Sequence, residues 1–241
     1  MRAMGCGYTM QQLSNEIFIF RIPDAHPDIV DHLGKSITSR PVYAATKRAF
    51  DIAFALSLLV ITAPVWVMVA IAIRATSPGP ILYRQSRVGK DGRIFTCFKF
   101  RSMRSDAERI LADDPRLSGE FQRSWKLIND PRITPVGGWL RKSSIDELPQ
   151  LLNVLRGDMS VVGPRPVQPR ELHDQFGSMG KVVTAVKPGL TSLWSVSGRS
   201  LLSYDERIAL EVDYVRRRSF RLDLLVLLLT VPSVITGRGA I

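Results

Sequence analysis

Two adjacent carboxylates, Asp146 and Glu147, stand in the segment RKSSIDELPQL. Such a pair at a helix start can bind a divalent cation or supply a nucleophile. The amide hydrogens of a helix N-terminus lack intrahelical partners and attract phosphate groups. Arg141 and Lys142 lie just upstream and add positive charge. A magnesium ion held there could join a carboxylate to a diphosphate. The same residues also suit a structural role. Ser144 and Glu147 have capping-box spacing, Asp in a first turn complements the helix dipole, and Pro149 fits only near a helix start. Taken alone, the residue types favour the cap.

Three further groups of cations could face an anion. Arg165 sits between Pro164 and Pro166 after Gly163, and the stiff backbone could aim a guanidinium at phosphate oxygens. Lys187-Pro188-Gly189 and Gly198-Arg199 combine cations with glycines that allow close approach to a ligand. Arg87, Lys99 and Arg101 alternate with aromatic residues, a pattern that fits nucleic acid or a lipid headgroup surface. Considered alone, a rigid turn with an exposed arginine is the better reading of Arg165, and an ordinary surface loop is the better reading of the Lys187 and Arg199 groups.

The elements that carry these residues follow from patterning. ILYRQSRV and RIFTCFKFRSM flank Gly89-Lys90-Asp91-Gly92, which predicts a β-hairpin over an Asp-Gly turn. A short helix is expected at Asp106–Leu111. DELPQLLNVLR reads as a helix ended by Gly157, followed by an extended, proline-rich stretch from Asp158 to Pro169. Val186 to Arg199 reads as a Gly/Ser-rich loop region. Ser203 and Glu206 have capping-box spacing, and Tyr204, Ile208, Val212 and Val215 form one apolar stripe of the helix that follows. LDLLVLLLTVPSVI is too short to span a bilayer and is interrupted by Asp223; it fits the interface or the core.

One segment requires an apolar environment. Ile52 to Ile73 runs 22 residues without a charge. As a helix it reaches about 33 Å, enough for a hydrocarbon core of about 30 Å. Pro64 lies near its middle, where it kinks a helix. Lys47 and Arg48 precede the segment, and Arg74, Arg84 and Arg87 follow it, so the positive-inside bias places both ends on the cytoplasmic side. A re-entrant hairpin with arms Ile52–Ala63 and Val65–Ile73 satisfies both facts. A spanning helix with a tolerated proline is the alternative.

The composition, 45% hydrophobic and 23% charged, excludes a disordered chain. The net charge of +11 points to an anionic partner. Cys6 and Cys97 lie far apart, and His26, His32 and His173 show no ligand spacing, which excludes a disulfide framework and a structural zinc site. Domain boundaries are expected as a poorly ordered or interfacial lead over 1–46, a membrane helix over 47–76 and a catalytic domain over 77–241.

From about Lys47 to the C-terminus the chain resembles the bacterial sugar transferase family, the monotopic polyprenyl-phosphate phosphoglycosyl transferases. The segments that carry the likeness are KRAFD, QSRVGKDGRIFTCFKFRSM, DPRITPVGGWLRKSSIDELPQLLNVLRGDMSVVGPRP and KPGLTSLWSVSGR. The resemblance implies a mostly helical α+β fold with a re-entrant membrane helix hairpin broken at Pro64, a small β-hairpin and amphipathic interfacial helices. It implies location at the bacterial inner membrane, with catalysis on the cytoplasmic face. It also implies that Asp146 attacks the β-phosphate of a UDP-sugar, releases UMP and passes the sugar-1-phosphate to a polyprenyl phosphate. By the same likeness Glu147 assists, Mg2+ is bound by Asp146 and Glu147, and Lys99, Arg141, Arg165 and Arg199 contact phosphate or nucleotide. The implied partners are the UDP-sugar, the lipid phosphate and the bilayer; nucleic acid is not among them, and a homodimer is compatible with the chain. The other reading is a non-catalytic membrane scaffold in polysaccharide assembly, with Asp146 and Glu147 as capping residues. Two departures stand out: Ala63-Pro64 where Ser-Pro is frequent, and Ser192 and Ser195 where Gly and Gln are frequent. The latter pair bears on which nucleotide sugar is accepted.

Overall fold

A computed structural model describes residues 40–124, 127, 129–237 and 239. The expected lead therefore lies outside the described residues as far as residue 39. From Pro41 onward the chain is already helical, because Pro at the first helical position is pre-set for that conformation.

Helix α1 (Pro41–Thr76) is one unbroken helix of 36 residues that contains Pro64. The arms expected as two helices are thus parts of one, about 54 Å along its axis if straight. It is long and apolar enough to cross a membrane, and little of its apolar length is covered by protein. Val60 and Ile61 are 76% and 73% exposed.

Both ends of α1 are bound to the rest of the protein. Near its start, Lys47 Nζ donates to Asp223 Oδ2 at 2.8 Å, and Arg48 donates to the carbonyls of Val154 and Leu155 at 2.6 and 2.8 Å. Asp51 Oδ1 accepts from the Ser160 hydroxyl and the Val161 N–H, both at 3.0 Å. Near its end, Val69 and Ile73 are buried with Phe100 and Leu140. Trp66 packs edge-on to Phe100 with ring centroids 5.1 Å apart. Arg101 then clamps the exit from the helix by donating to Ser77 O and Pro78 O.

Strands β1 (Leu82–Val88) and β2 (Ile94–Phe100) form the expected antiparallel hairpin, in register from Leu82–Phe100 to Val88–Ile94. Asp91 and Gly92 both take positive φ in its turn. Helices α2 (Ala107–Asp113), α3 (Pro115–Ser124) and α4 (Pro135–Lys142) lead to the carboxylate segment. That segment differs from the expected continuous helix: Ile145–Glu147 is a single 3-10 turn, and α5 (Gln150–Arg156) begins only after Pro149. Gly157 ends α5 in the left-handed region, as expected.

A second sheet was not foreseen. Strand β3 (Ser160–Val162) lies in the stretch read as extended, and β4 (Gly189–Thr191) lies in the stretch read as loop. They pair in parallel. A side chain at Gly189 would collide with the backbone at Gly163 and Thr191, so this glycine serves close strand packing rather than ligand approach. The short helices α6 (Pro169–Glu171) and α7 (Met179–Val183) lie between these strands in the chain, and α8 (Leu193–Ser197) follows β4.

Helix α9 (Tyr204–Arg217) carries the capping box expected at Ser203 and Glu206. Its apolar stripe faces the main core, where Val212 and Val215 are buried with Val154, Val161, Val162 and Trp194. Helix α10 (Phe220–Thr236) buries Asp223 and Val226 and leaves Phe220, Leu224, Leu228, Val231 and Ile235 exposed. Asp223, read as an interruption of an apolar run, is a junction: Tyr43, Lys47 and Tyr214 all donate to it.

Candidate active site

The carboxylate segment is fixed to the hairpin by Asn153. This residue is fully buried, accepts from the Phe98 N–H at 3.0 Å and donates to Thr96 O at 2.7 Å. Its amide thereby pairs with the outer edge of β2 as a third strand would. Leu148, directly after Glu147, packs against both apolar clusters. Lys99 on β2 is thus brought to the carboxylates, 48 residues away in sequence.

Lys99 Nζ donates to Glu147 Oε1 at 2.7 Å, and Arg165 Nη2 donates to the same oxygen at 3.0 Å. Burial would raise the Glu147 carboxyl, but Arg165 and Lys99 together outweigh it and hold the group well below the usual carboxylate range. Asp146 is 7% exposed. Burial pushes its carboxyl up; Lys99 pulls it down, and neighbouring Glu147 pushes it up again. Among the described residues no donor reaches the Asp146 carboxylate within hydrogen-bond distance, in contrast to its neighbour.

The expected capping box at this point is not formed. Ser144 is left-handed, with φ of 57°, and its side chain caps nothing. The Glu147 N–H instead bonds the Ser144 carbonyl, and the Glu147 side chain turns to Lys99 and Arg165. The capping box that the spacing of Ser144 and Glu147 allowed is therefore absent, while both carboxylates still lie in the first turn of a short helix.

A cavity of about 1270 Å³ opens over the pair. Arg141, Asp146, Glu147, Lys99, Arg165 and Arg199 all line it, so the six residues singled out in the sequence converge. Arg141 acts on Asp146 through its charge. Arg199 donates from Nη1 to the Ser144 hydroxyl at 3.4 Å. The lining of the cavity is chemically mixed. Phe54, Leu58 and Val65 of α1 with Leu227 and Val234 of α10 contribute apolar side chains; Arg84, Arg104 and Arg132 contribute basic ones.

Arg87 and Arg101 also line this cavity, but their guanidiniums are engaged within the protein. Arg101 is 5% exposed and serves the exit clamp of α1. Arg87 donates to Gln85 and to Pro166 O. Lys187 lies beside Arg48 near Gly157 and not on the cavity; burial lowers its ammonium below the usual range. Ser192 is fully buried and caps α8 through the Ser195 N–H, whereas Ser195 lines the cavity. Of the two departures from the family loop, only Ser195 can meet a ligand there.

Sequence reasoning missed Trp194, Arg207, Glu171 and Glu211. The guanidinium carbons of Arg165 and Arg207 lie 5.2 and 5.0 Å from the Trp194 indole centroid. Arg207 is paired with Glu171 at 2.7 Å. Glu211 accepts from the Arg165 N–H at 3.0 Å. The spacing of Arg207 and Glu211 on one helix was visible, but what they address was not.

The donor set sets limits on a metal. Among the described residues no group of three or more His, Cys, Asp or Glu side chains is placed to hold an ion. Magnesium commonly binds through one or two carboxylates and completes its shell with water and substrate phosphate. Asp146, free of donors at the cavity, fits that mode. Glu147 Oε1 is already taken by two cations, which leaves only its second oxygen.

The bacterial sugar transferase model matches residues 42–237, nearly the whole of the described chain. The chain belongs to the bacterial sugar transferase family. It is 40% identical over 205 residues to the exopolysaccharide production protein ExoY of Sinorhizobium fredii, covering 83% of this chain and 90% of that one. It is 42% identical over 199 residues to an undecaprenyl-phosphate galactose phosphotransferase of Salmonella typhimurium, covering 80% of this chain and 41% of that protein. An undecaprenyl-phosphate glucose phosphotransferase of Komagataeibacter xylinus is 40% identical over 207 residues, covering 80% and 36% respectively. The family is thus one of enzymes, and its members move different sugars.

Proposed function

We propose that this protein transfers a sugar-1-phosphate from a UDP-sugar to a polyprenyl phosphate, with Asp146 as nucleophile. The observation that carries the reading is the Asp146–Glu147 pair. One carboxylate is clamped by two cations, and the adjacent one meets no donor among the described residues on a cavity lined by both basic and apolar side chains.

In the first half-reaction an Asp146 carboxylate oxygen attacks the β-phosphorus of the donor. The bond from that phosphorus to the bridging oxygen breaks, and UMP leaves with the electron pair. In the second, an oxygen of the lipid phosphate attacks the same phosphorus and the acyl-phosphate bond breaks, restoring the Asp146 carboxylate. Lys99 and Arg165 keep Glu147 ionised and present positive charge where the diphosphate lies. Arg141 and Arg199 add to that charge from the cavity lining. Magnesium, held by Asp146 and phosphate oxygens, would neutralise charge on the diphosphate.

The membrane setting follows from α1. One folded unit binds residues 47–51 at one end and residues 69–78 at the other, while Val60 and Ile61 between them are bare. We propose a re-entrant placement whose ends share the cytoplasmic face of the inner membrane; it requires α1, which is continuous in this structure, to bend at Pro64 within the bilayer. The outward apolar residues of α10 lie at the interface beside it. The apolar residues that α1 and α10 contribute to the cavity lining would then face the lipid chain. The test is UMP release from a panel of UDP-sugars by the full chain in lipid nanodiscs holding undecaprenyl phosphate. No release with any donor, at a protein concentration that binds UDP, would reject the reading.

A further inference from the structure

The loop that carries Arg165 is held through its carbonyls by the Gly189 N–H on Pro164 O at 2.8 Å and by Arg87 on Pro166 O at 3.0 Å, but it has few amides to offer. Pro164 and Pro166 have no amide hydrogen, and the Gly163 N–H is committed to the Thr191 carbonyl at 3.0 Å. The Arg165 N–H is the donor that remains between the prolines, and Glu211 Oε1 takes it. Glu211 is 1% exposed, and its second oxygen is buried without a hydrogen bond of good geometry, although the Ser192 hydroxyl lies close enough to stabilise the carboxylate. Such a group costs stability, so its presence calls for a compensating role.

One helical turn earlier on α9, Arg207 shares the Trp194 indole with Arg165. Glu171 anchors Arg207 by an ion pair at 2.7 Å, and the Tyr204 hydroxyl donates to the same Glu171 oxygen at 3.2 Å. Arg207 also leaves a buried Nε without an acceptor. Two residues at i and i+4 on one face of α9 therefore address one arginine, the first through an aromatic ring and the second through the backbone.

We propose that Arg207 and Glu211 are positioning residues for Arg165. Glu211 fixes the backbone of the loop. Trp194, held by Arg207, bounds the guanidinium so that it points at Glu147 and the diphosphate site rather than into solvent. Neither touches the reacting atoms. The inference rests on the reading that Arg165 holds phosphate, and it adds which residues make that contact productive. It also assigns a function to the otherwise costly unpaired atoms of α9.

The test is a double-substitution cycle on UDP affinity, read by calorimetry on the full-length chain in nanodiscs. UDP carries the diphosphate and no transferable sugar, so turnover does not enter. Glu211→Leu is expected to weaken UDP binding about tenfold when Arg165 is intact, and less than about twofold in an Arg165→Lys background. Glu211→Gln keeps an acceptor for the Arg165 N–H and is expected to stay within about twofold of the parent. Arg207→Lys keeps the pair with Glu171 but loses the planar stack. It is expected to show the same dependence on Arg165, and it carries the cycle by itself if Glu211→Leu does not fold. Equal losses in both backgrounds, or no loss with Arg165 intact, would overturn the positioning role. UMP release by the parent chain separates the two levels: additive cycles with normal release reject only the role of α9, whereas absent UDP binding and absent release reject the donor assignment as well.

Discussion

Lys99 on the second hairpin strand donates to Glu147 Oε1 at 2.7 Å, an oxygen that Arg165 also reaches. This ties the hairpin, the carboxylate turn and the proline-flanked loop at a single atom. Removing either cation leaves a largely buried carboxylate with one partner. Lys99→Met is expected to lower kcat/KM roughly a hundredfold, with Lys99→Arg recovering part of it. Steady-state kinetics of both variants, alongside circular dichroism to confirm folding, check this.

Asn153 acts as a surrogate strand on the open edge of β2. Asn153→Ala leaves the buried Phe98 N–H without its acceptor and frees the Thr96 carbonyl from a partly buried bond. It is expected to destabilise the protein by about 2 kcal/mol and to loosen Lys99 relative to Glu147. A fall in the apparent melting temperature together with reduced UMP release would bear this out; an unchanged melting temperature would not.

Burial pushes the Glu211 carboxyl up to about 7, and the Arg165 N–H and Arg207 only partly offset it. A carboxyl raised in the folded state contributes its stability fully below its unfolded value, about 4.3, and loses it as pH rises through about 7. The parent should therefore lose stability relative to Glu211→Gln between about pH 5 and about pH 8, on the order of 2 kcal/mol. Paired thermal melts at the two pH values measure it. A difference that is constant with pH would contradict the assignment.

The two ends of α1 are expected on one side of the membrane. In a cysteine-free background, single cysteines placed at Arg40 and Arg84 should react with an impermeant maleimide only after the cytoplasmic face is opened. Labelling of the two from opposite sides would show a spanning helix and would also separate Lys47 from Asp223.

Much of this architecture was legible because the signals are local. The Asp-Gly turn, Gly157 at the end of α5, the Ser203–Glu206 box and the long apolar run each report on their own neighbourhood. The carboxylate turn misled, since Ser144 and Glu147 have capping spacing, yet tertiary cations draw Glu147 away and Ser144 goes left-handed. Strands β3 and β4 are three residues each, too short to show alternation, and their pairing is a long-range event. The six site residues could be named because the family motifs mark them. The supports behind them (Trp194, Arg207, Glu171 and Glu211) could not, because contacts made across the fold leave no spacing to read.

The most direct test is to look for a covalent phosphosugar on residue 146. The full chain in nanodiscs without lipid phosphate is incubated with a radiolabelled UDP-sugar that it accepts, quenched, digested and mapped by mass spectrometry. Label is expected on the peptide containing Asp146, discharged on adding polyprenyl phosphate and absent in Asp146→Asn, whose turnover falls about a thousandfold or more. An Asp146→Asn variant that keeps the parent rate, or label that maps to any other residue, would contradict it.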